Sequence, residues 1–569
     1  MVTTTRKYKD QTYRTHLLRR SYREGGTVKN ETLGNLSHLP DELIEIIRRS
    51  LQGETFVPLT QAFEITASRP HGHVQAVSLA MQRLGFASLI ASKASRERDL
   101  VVAMVAARIL APSTKLATTR WWHTTTLAED FAVAQASEDD LYAAMDWLLA
   151  RQGTIEKKLA ARHLHDDGLV LYDLSSSYFE GHCCALARRG YSRDGRHGTL
   201  QVNYGLLTDA RGCPVAVSVH EGNTADSKTF MPAVQKLRDD FGIKRMVMVG
   251  DRGMVSQKAI EEMREMQGIG WITALKSGSI RALVEQGQLQ LGLFDERNLL
   301  ELSSPEYPGE RLVACRNPEL AKLRAHKRQE LLAATEQSLD KIKARVDAGK
   351  LSAGQEIGLR VGKVVNQYKV AKHFELAITD NTFTFTRKND NIAAEAALDG
   401  LYIIRTSVPS EQMDAPQCVR SYKSLSNVER AFRSFKTIDL KVRPIHHRLA
   451  DRVRAHIFLC MLAYYVEWHM RETWRELMFA DTEQQAKATR DPVAPAKRSK
   501  AALAKASTHS LDDDTPVHSF STLIAEMATI ARNTCRTPGA AENAPSFTVH
   551  TSANTKQKHA LELIGQITL

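Results

Sequence analysis

The sequence predicts an α/β protein: a mixed sheet interrupted by a large α+β insertion, with a basic hairpin and a helical domain ahead of it. Three observations carry this. Residues 168–173 and 244–251 are short apolar runs of the buried-strand kind, and each closes on an acid, Asp173 and Asp251. Between them, strand-like runs at 201–208 and 215–219 flank the turn Asp209-Ala-Arg-Gly212 as a hairpin does, and a helical stretch at 228–241 leads into 246–249. Finally, Glu429, the next acid of interest, stands 178 positions after Asp251, too far for one connection, so a folded insertion is required.

From the start of the chain, residues 6–36 carry many more Arg and Lys than acids, and Glu24-Gly25-Gly26 separates strand-like segments at 13–23 and 27–36. A basic hairpin followed by a short helix at 42–51 makes a first segment, 1–52. Residues 53–165 read as helical, with helices at 74–84, 99–110 and 140–149, breaks at Arg69-Pro70-His71-Gly72 and Ala111-Pro112-Ser113, and a helix start where Asp140 follows Ser137 by three. Trp121 and Trp122 are expected in the core. The sheet's first part spans 166–280 and ends with a helix at 256–267 and a strand at 271–275. An insertion, 281–398, holds a strand at 312–315, a helix opened by Asn317 and Pro318 and running to about Val346, and a hairpin of 374–378 with 382–386 across Asp380-Asn381. The sheet resumes over 399–480 with a strand at 401–406 and a buried closing helix at 449–468. The rest, 481–569, is expected to be a flexible linker at 482–516, a helix at 520–532 and a docking segment at 560–569.

Residues 422–436 have two helical periodicities side by side. As a helix they place Leu425, Val428, Phe432 and Phe435 on one apolar stripe, and Tyr422, Glu429, Arg433 and Lys436 on the next. An acid, two cations and a phenol then line up beside a core-facing seam.

Composition narrows the partner. A net charge of +12 and a pI near 9.2 suit a polyanion. The seven cysteines are scattered, and Cys183 and Cys184 after His182 lack the C-x-x-C spacing of a zinc site, so free thiols in a reducing cytoplasm are expected. There is no apolar signal core at the N-terminus, and the longest apolar run, 457–468, contains Glu467 and is too short for a bilayer. A soluble, cytoplasmic protein without a membrane partner is expected.

Tyr422, six residues, Glu429, six residues, Lys436, preceded by the Asp173 strand and by Gly250-Asp251-Arg252-Gly253, resembles the DDE transposases of bacterial insertion sequences, in the branch with a Tyr, Arg, Glu, Lys signature around the last acid. Gly190-Tyr-Ser-Arg-Asp-Gly-Arg196, the strand 201–208 and Glu221-Gly-Asn-Thr-Ala-Asp-Ser-Lys-Thr229 support the likeness, which covers roughly 165–475. One position departs: the signature's Arg falls at Leu425, so its contacts must be met by Arg430, Arg433 or Lys423, or go unmet.

The resemblance implies a ribonuclease-H-like core in which Asp173, Asp251 and Glu429 are the catalytic and metal-binding residues. Paired Mg2+ ions, with Mn2+ as a substitute, suit carboxylates converging from different elements. The implied reaction frees a 3′ hydroxyl at each transposon end and joins it to target DNA. Tyr422, Arg430, Arg433, Lys436, Arg252, Lys441 and Arg443 are the implied DNA-binding residues, the last two on a basic loop, 441–448, whose His446 and His447 are read as phosphate contacts or simply solvated rather than as metal ligands. The helical domain then recognises DNA ends or dimerises. The expected partners are double-stranded DNA, as terminal inverted repeats and target, and a second copy of the chain, with at least a dimer on DNA, in the cytoplasm at the nucleoid. A metal-dependent nuclease that never joins strands and an inert transposase-derived DNA-binding protein are the alternatives. A glycosidase with paired carboxylates leaves the basic balance without a role.

Overall fold

Nine strands form one mixed sheet in the computed structural model, which describes every residue except 10, 57, 59–61, 182, 295–296, 485–488, 542 and 569. In chain order the strands are β1 (Gly168–Tyr178), β2 (Arg188–Arg189), β3 (Leu200–Asp209), β4 (Pro214–Glu221), β5 (Met246–Val249), β6 (Ile269–Ala274), β7 (Leu299–Leu302), β8 (Arg311–Arg316) and β9 (Leu401–Thr406). Across the sheet the order is β7-β8-β9-β6-β5-β1-β3, with β4 and the short β2 sharing the far edge of β3. β5 runs parallel to both β1 and β6, and the other pairs are antiparallel.

Two departures from expectation shape the sheet. β1 does not stop at Asp173 where the sequence turns polar; it continues to Tyr178, because Ser175, Ser176 and Ser177 pair with β3 and the hydroxyls of Ser176 and Ser177 find partners. Ser177 Oγ lies 2.8 Å from the Tyr204 hydroxyl, and Ser176 Oγ accepts from the Arg193 N–H at 3.2 Å. The strands β7 and β8, in the stretch read as insertion, belong to the main sheet, where β8 pairs with β9 over its whole length. A strand's partner cannot be read from its own periodicity when it lies some ninety residues away.

The rest of the interruption has its own apolar cluster. Helix Pro318–Asp347, capped by Asn317 accepting from the Leu320 N–H, packs Leu332, Leu339 and Val346 against helix Gly354–Tyr368 and the hairpin Phe374–Ile378 with Phe383–Arg387. The helix at 354–368 was not anticipated.

One face of the sheet is covered by helices Gly72–Arg83, Arg96–Leu110, Glu138–Leu149 and Gln152–His163, packed around Ala450–Thr473. Ala450–Thr473 is buried at every residue from Ala455 to Met470, which explains its apolar run without a membrane. Among the described residues no single helix is long and apolar enough to cross a bilayer. Ser137 and Asp140 form the capping box their spacing suggested, and Trp122 is fully buried. The linker expected at 482–516 contains a helix, Lys500–Thr508, capped by Ser499; residues 485–488 of that stretch lie outside the described ones. The helix at 520–532 ends at Met527, and the docking segment is the helix Thr555–Gly565, with Ala560 and Ile564 buried; Leu569 is outside the described residues.

All of this lies in one compact unit, Pro70–Ile530 with Ser552–Leu569. The other, Met1–Arg69 with Ala531–Thr551, has two sheets and the helix Asp41–Leu51. Its first sheet holds the expected hairpin, Gln11–Glu24 with Thr27–Asn35, and an unanticipated strand, Val2–Tyr8, whose threonines suit a pleated backbone without an apolar alternation to announce it. In its second sheet Glu64–Pro70, read as the start of the helical stretch, is a strand beside Ala531–Arg536, which in turn pairs with Phe547–His550.

Gly205 on β3 shows how tightly the sheet face is filled. A Cβ there meets the buried Tyr172 hydroxyl at 2.2 Å, so Gly205→Ala is expected to lower stability by about 1–3 kcal/mol, read as a lower urea midpoint with an unchanged slope.

Candidate active site

Register brings the two aspartates together. In the parallel pair of β1 and β5 the last partners are Leu171 and Val249; two residues further along each chain stand Asp173 and Asp251. Neighbouring strands lie about 4.8 Å apart, so the two acids leave the carboxyl end of the parallel pair at one level. This is where open α/β sheets present ligand-binding groups. Alternation along β1 puts Asp173 on the same face as Leu171, the face of the largest apolar cluster, and leaves Tyr172 and Leu174 to the opposite one.

The third acid arrives by packing on that same face. Helix Leu425–Arg433 buries Leu425, Val428, Ala431 and Phe432 in the cluster that contains Leu171, and Phe435 follows them in. The apolar stripe is therefore as expected, and Glu429 is left exposed beside it. The helix is not continuous over 422–436. Tyr422 belongs to the preceding helix, Ala415–Lys423, and Lys436 lies in a wide turn, Ser434–Ile438, whose Asp439 N–H reaches back five residues to the Ser434 carbonyl.

Asp173, Asp251 and Glu429 line a single cleft of about 760 Å³, together with Tyr422, Arg433 and Lys436. Asp173 is half-buried, and Oδ1 accepts from the Leu174 N–H at 2.8 Å. Burial pushes its carboxyl up to about 7, helped by the charges of Asp251 and Glu429 and opposed by that hydrogen bond and by Arg193. The Tyr422 hydroxyl donates to Asp251 Oδ1 at 3.2 Å, and burial raises the phenol so that it remains a donor. The carboxyls of these acids are hard oxygen donors, the set that Mg2+ or Mn2+ takes. Among the described residues the three ligating side chains drawn within 4.8 Å of one another are His163, Cys213 and His469; the acids stand further apart than that. Those two histidines are held neutral by burial, at about 4 for His163 and about 3 for His469, and their rings pack against Tyr465.

The other sequence-identified residues divide. Arg433 lines the cleft. Arg252 is exposed on the Asp251 turn and faces Tyr422 electrostatically. Arg430 is exposed but does not line the cleft. Lys436 lines it with its ammonium 3.0 Å from Asp194 Oδ1, and burial lowers its pKa while Asp194 raises it. Arg443 pairs with the same Asp194 oxygen from a second cleft, which Lys441 also lines. Leu425 sits buried at the cleft's edge, so of the cations offered in place of the signature's Arg, Arg433 and Lys423 reach the cleft, and Lys423 donates to the Pro492 carbonyl.

Sequence reasoning missed four residues. Arg193 and Asp226 line the cleft and pair at 2.5 Å; Tyr191 lines it and is exposed; Asp194, with its side chain 2% exposed, ties Lys436 and Arg443 to the end of β1 by also accepting from the Tyr178 N–H. All four fall inside the stretches 190–196 and 221–229 that support the family likeness, which was the available signal. Their ion pairs span 33 and 242 residues, beyond any local rule.

The raised Asp173 carboxyl has a consequence for stability. The folded protein keeps this proton where the unfolded chain, with an ordinary value of 3.8, has lost it, so without divalent cation stability falls as pH rises from about 4 to about 7. Asp173→Asn removes that loss. The variant is expected to have the higher urea midpoint at about pH 8 and no advantage below about pH 4.

The family model described as "Transposase DDE domain" matches residues 165–466, more than half of the chain, and the model described as "IS1634 family transposase, N-terminal domain" matches residues 1–57. Two solved structures resemble it: a piggyBac transposase synaptic complex with hairpin DNA, at 10% identity over 78% of this chain and 85% of that one with a TM-score of 0.23, and a Mos1 transposase paired-end complex with the left transposon end, at 9% identity over 42% and 68% with a TM-score of 0.13. At those scores neither likeness bears on the site. No curated protein matches.

Proposed function

The chain belongs to the transposase DDE-domain family, and from that premise we propose that it cuts the ends of an insertion sequence and joins the freed 3′ hydroxyl to target DNA, with Asp173, Asp251 and Glu429 as catalytic residues and ligands for Mg2+ or Mn2+. The observation that carries the proposal is the convergence of these three carboxylates on one cleft from two parallel strands and a helix. The strand sequence β4-β3-β1-β5-β6, with β3 antiparallel to its neighbours and β5 parallel to its own, supports a ribonuclease-H-like core.

A pair of divalent ions, when bound, generates the attacking oxygen and stabilises the departing one. The chain's own residues prepare the site. Asp173 is desolvated and pressed by two like charges, which keep its proton on until a bound cation would displace it to solvent. Tyr422 holds Asp251 at the tip of its turn. Arg193 is kept beside Asp173 by Asp226, where it moderates the negative charge. Arg433 meets DNA phosphates at the cleft, Arg252 and Arg430 meet phosphates beside it, and Lys436 contacts the strand from its anchor on Asp194. Lys441 and Arg443 extend this basic surface. The helical segment within 53–165 recognises terminal repeats or mediates pairing, and two copies acting at the two ends assemble on DNA at the bacterial nucleoid.

The test uses DNA carrying the inverted repeats that border the gene, a target plasmid and Mg2+. Cleavage at the repeat ends followed by covalent joining is expected. Cleavage without joining would establish the nuclease alternative, and binding without cleavage the inert one.

A further inference from the structure

The second cleft, about 780 Å³, is built where the segment after helix Arg96–Leu110 meets the loop ahead of Ala450–Thr473. Its walls carry Arg108, Lys115, Lys441, Arg443, Arg448 and Arg452, and among the described residues no carboxylate lines it. Arg443 is neutralised by Asp194, and Arg452 has Asp146 at 3.8 Å. Among the described residues the others have no such relief. Arg108 is buried and, among the described residues, donates only to main-chain carbonyls, Leu440 at 3.4 Å and Ser113 at 3.2 Å. Lys115 is 4% exposed and, like Lys441 and Arg448, forms no ion pair among the described residues.

A buried cation without a counter-charge is costly, and two side by side are more so. Burial and Arg108 lower the Lys115 amine to about 7, and burial with the surrounding cations holds His447 at about 3. An anion entering the cleft relieves all of these at once. Its position says which anion. Asp194 Oδ1 is shared by Lys436, which lines the cleft of the three acids, and by Arg443, which lines this one, so the two clefts have a wall in common.

We propose that this cleft is a second DNA contact, in which Arg108, Lys115 and Arg448 grip a backbone phosphate of the strand whose neighbouring segment lies in the acid cleft. The proposal rests on the reading that the chain acts on DNA, and it adds the helical segment's Arg108 and Lys115 to the loop as one phosphate grip. Phosphate contacts position a duplex without reading its sequence.

The test compares the full-length protein with Lys115→Met and Arg448→Gln, singly and together, binding terminal-repeat and unrelated DNA over a series of salt concentrations without divalent cation. Each substitution is expected to lower the slope of log affinity against log salt by about one, and the pair to weaken both DNAs by about tenfold or more. Arg448 is exposed, so its variant tests the proposal even if Lys115→Met fails to fold. Unchanged slopes and affinities overturn it. So does saturable binding of inorganic phosphate by the wild type that both substitutions abolish while DNA affinity stays unchanged, since the cleft then serves a free anion. If these variants lose DNA affinity while the wild type shows no metal-dependent cutting, the catalytic reading fails and this one stands. If cutting is observed and the variants bind as the wild type does, only this one fails.

Discussion

Asp251→Asn and Glu429→Gln are each expected to slow metal-dependent cutting of terminal-repeat DNA by about a thousandfold or more, about 4 kcal/mol of transition-state stabilisation, with DNA affinity unreduced. Each substitution replaces a charged oxygen donor by an amide of the same shape, so it weakens cation binding without leaving a cavity. Both side chains are exposed at the cleft, and neither supports the core. Removing negative charge from a DNA-facing cleft does not weaken its attraction for phosphates. Single-turnover cleavage under saturating DNA, paired with a binding titration, separates the two effects. Loss of binding in step with loss of cutting would move these acids from chemistry to DNA recognition or folding.

Asp194→Ala is expected to have the largest effect on stability, about 3–5 kcal/mol, because it leaves the half-buried Lys436 and Arg443 without their shared counter-charge and the Tyr178 N–H without an acceptor. Asp194→Asn keeps the acceptor and loses the charge, so it should fall between the wild type and Ala. Chemical denaturation with unchanged slope checks this. A loss below about 1 kcal/mol for Ala would mean that solvent replaces the carboxylate, as at an exposed pair. The Asp194 side chain is only 2% exposed, which argues for the larger figure.

How far the fold could be read depended on the range of the interactions. Elements whose signals are local came through: the strand at 246–249, the Ser137 capping box, the Asn317 and Pro318 helix start, and the hairpin across Asp380 and Asn381. The apolar stripe of Leu425, Val428, Phe432 and Phe435 is buried as its spacing required. What escaped depends on distant partners. Glu64–Pro70 is a strand only because Ala531–Arg536 lies beside it, and β1 runs past Asp173 only because Tyr204 and Arg193 accommodate its serines. The site follows the same rule. Strand ends and a helix stripe drew attention to the three acids, and it was their combination and the family likeness that singled them out, whereas Asp194 acquires its contacts from a lysine and an arginine more than 240 residues away. The anchoring of Lys436 on Asp194, rather than free in the cleft, was for that reason outside any helical-wheel argument.

The measurement closest to the central claim is anomalous diffraction at the manganese edge from crystals soaked in Mn2+. Peaks within coordinating distance of Asp173, Asp251 and Glu429 are predicted, lost in Glu429→Gln crystals for any ion that Glu429 ligates. Manganese bound elsewhere, at His163, Cys213 and His469 for example, with none among the three acids would contradict the account.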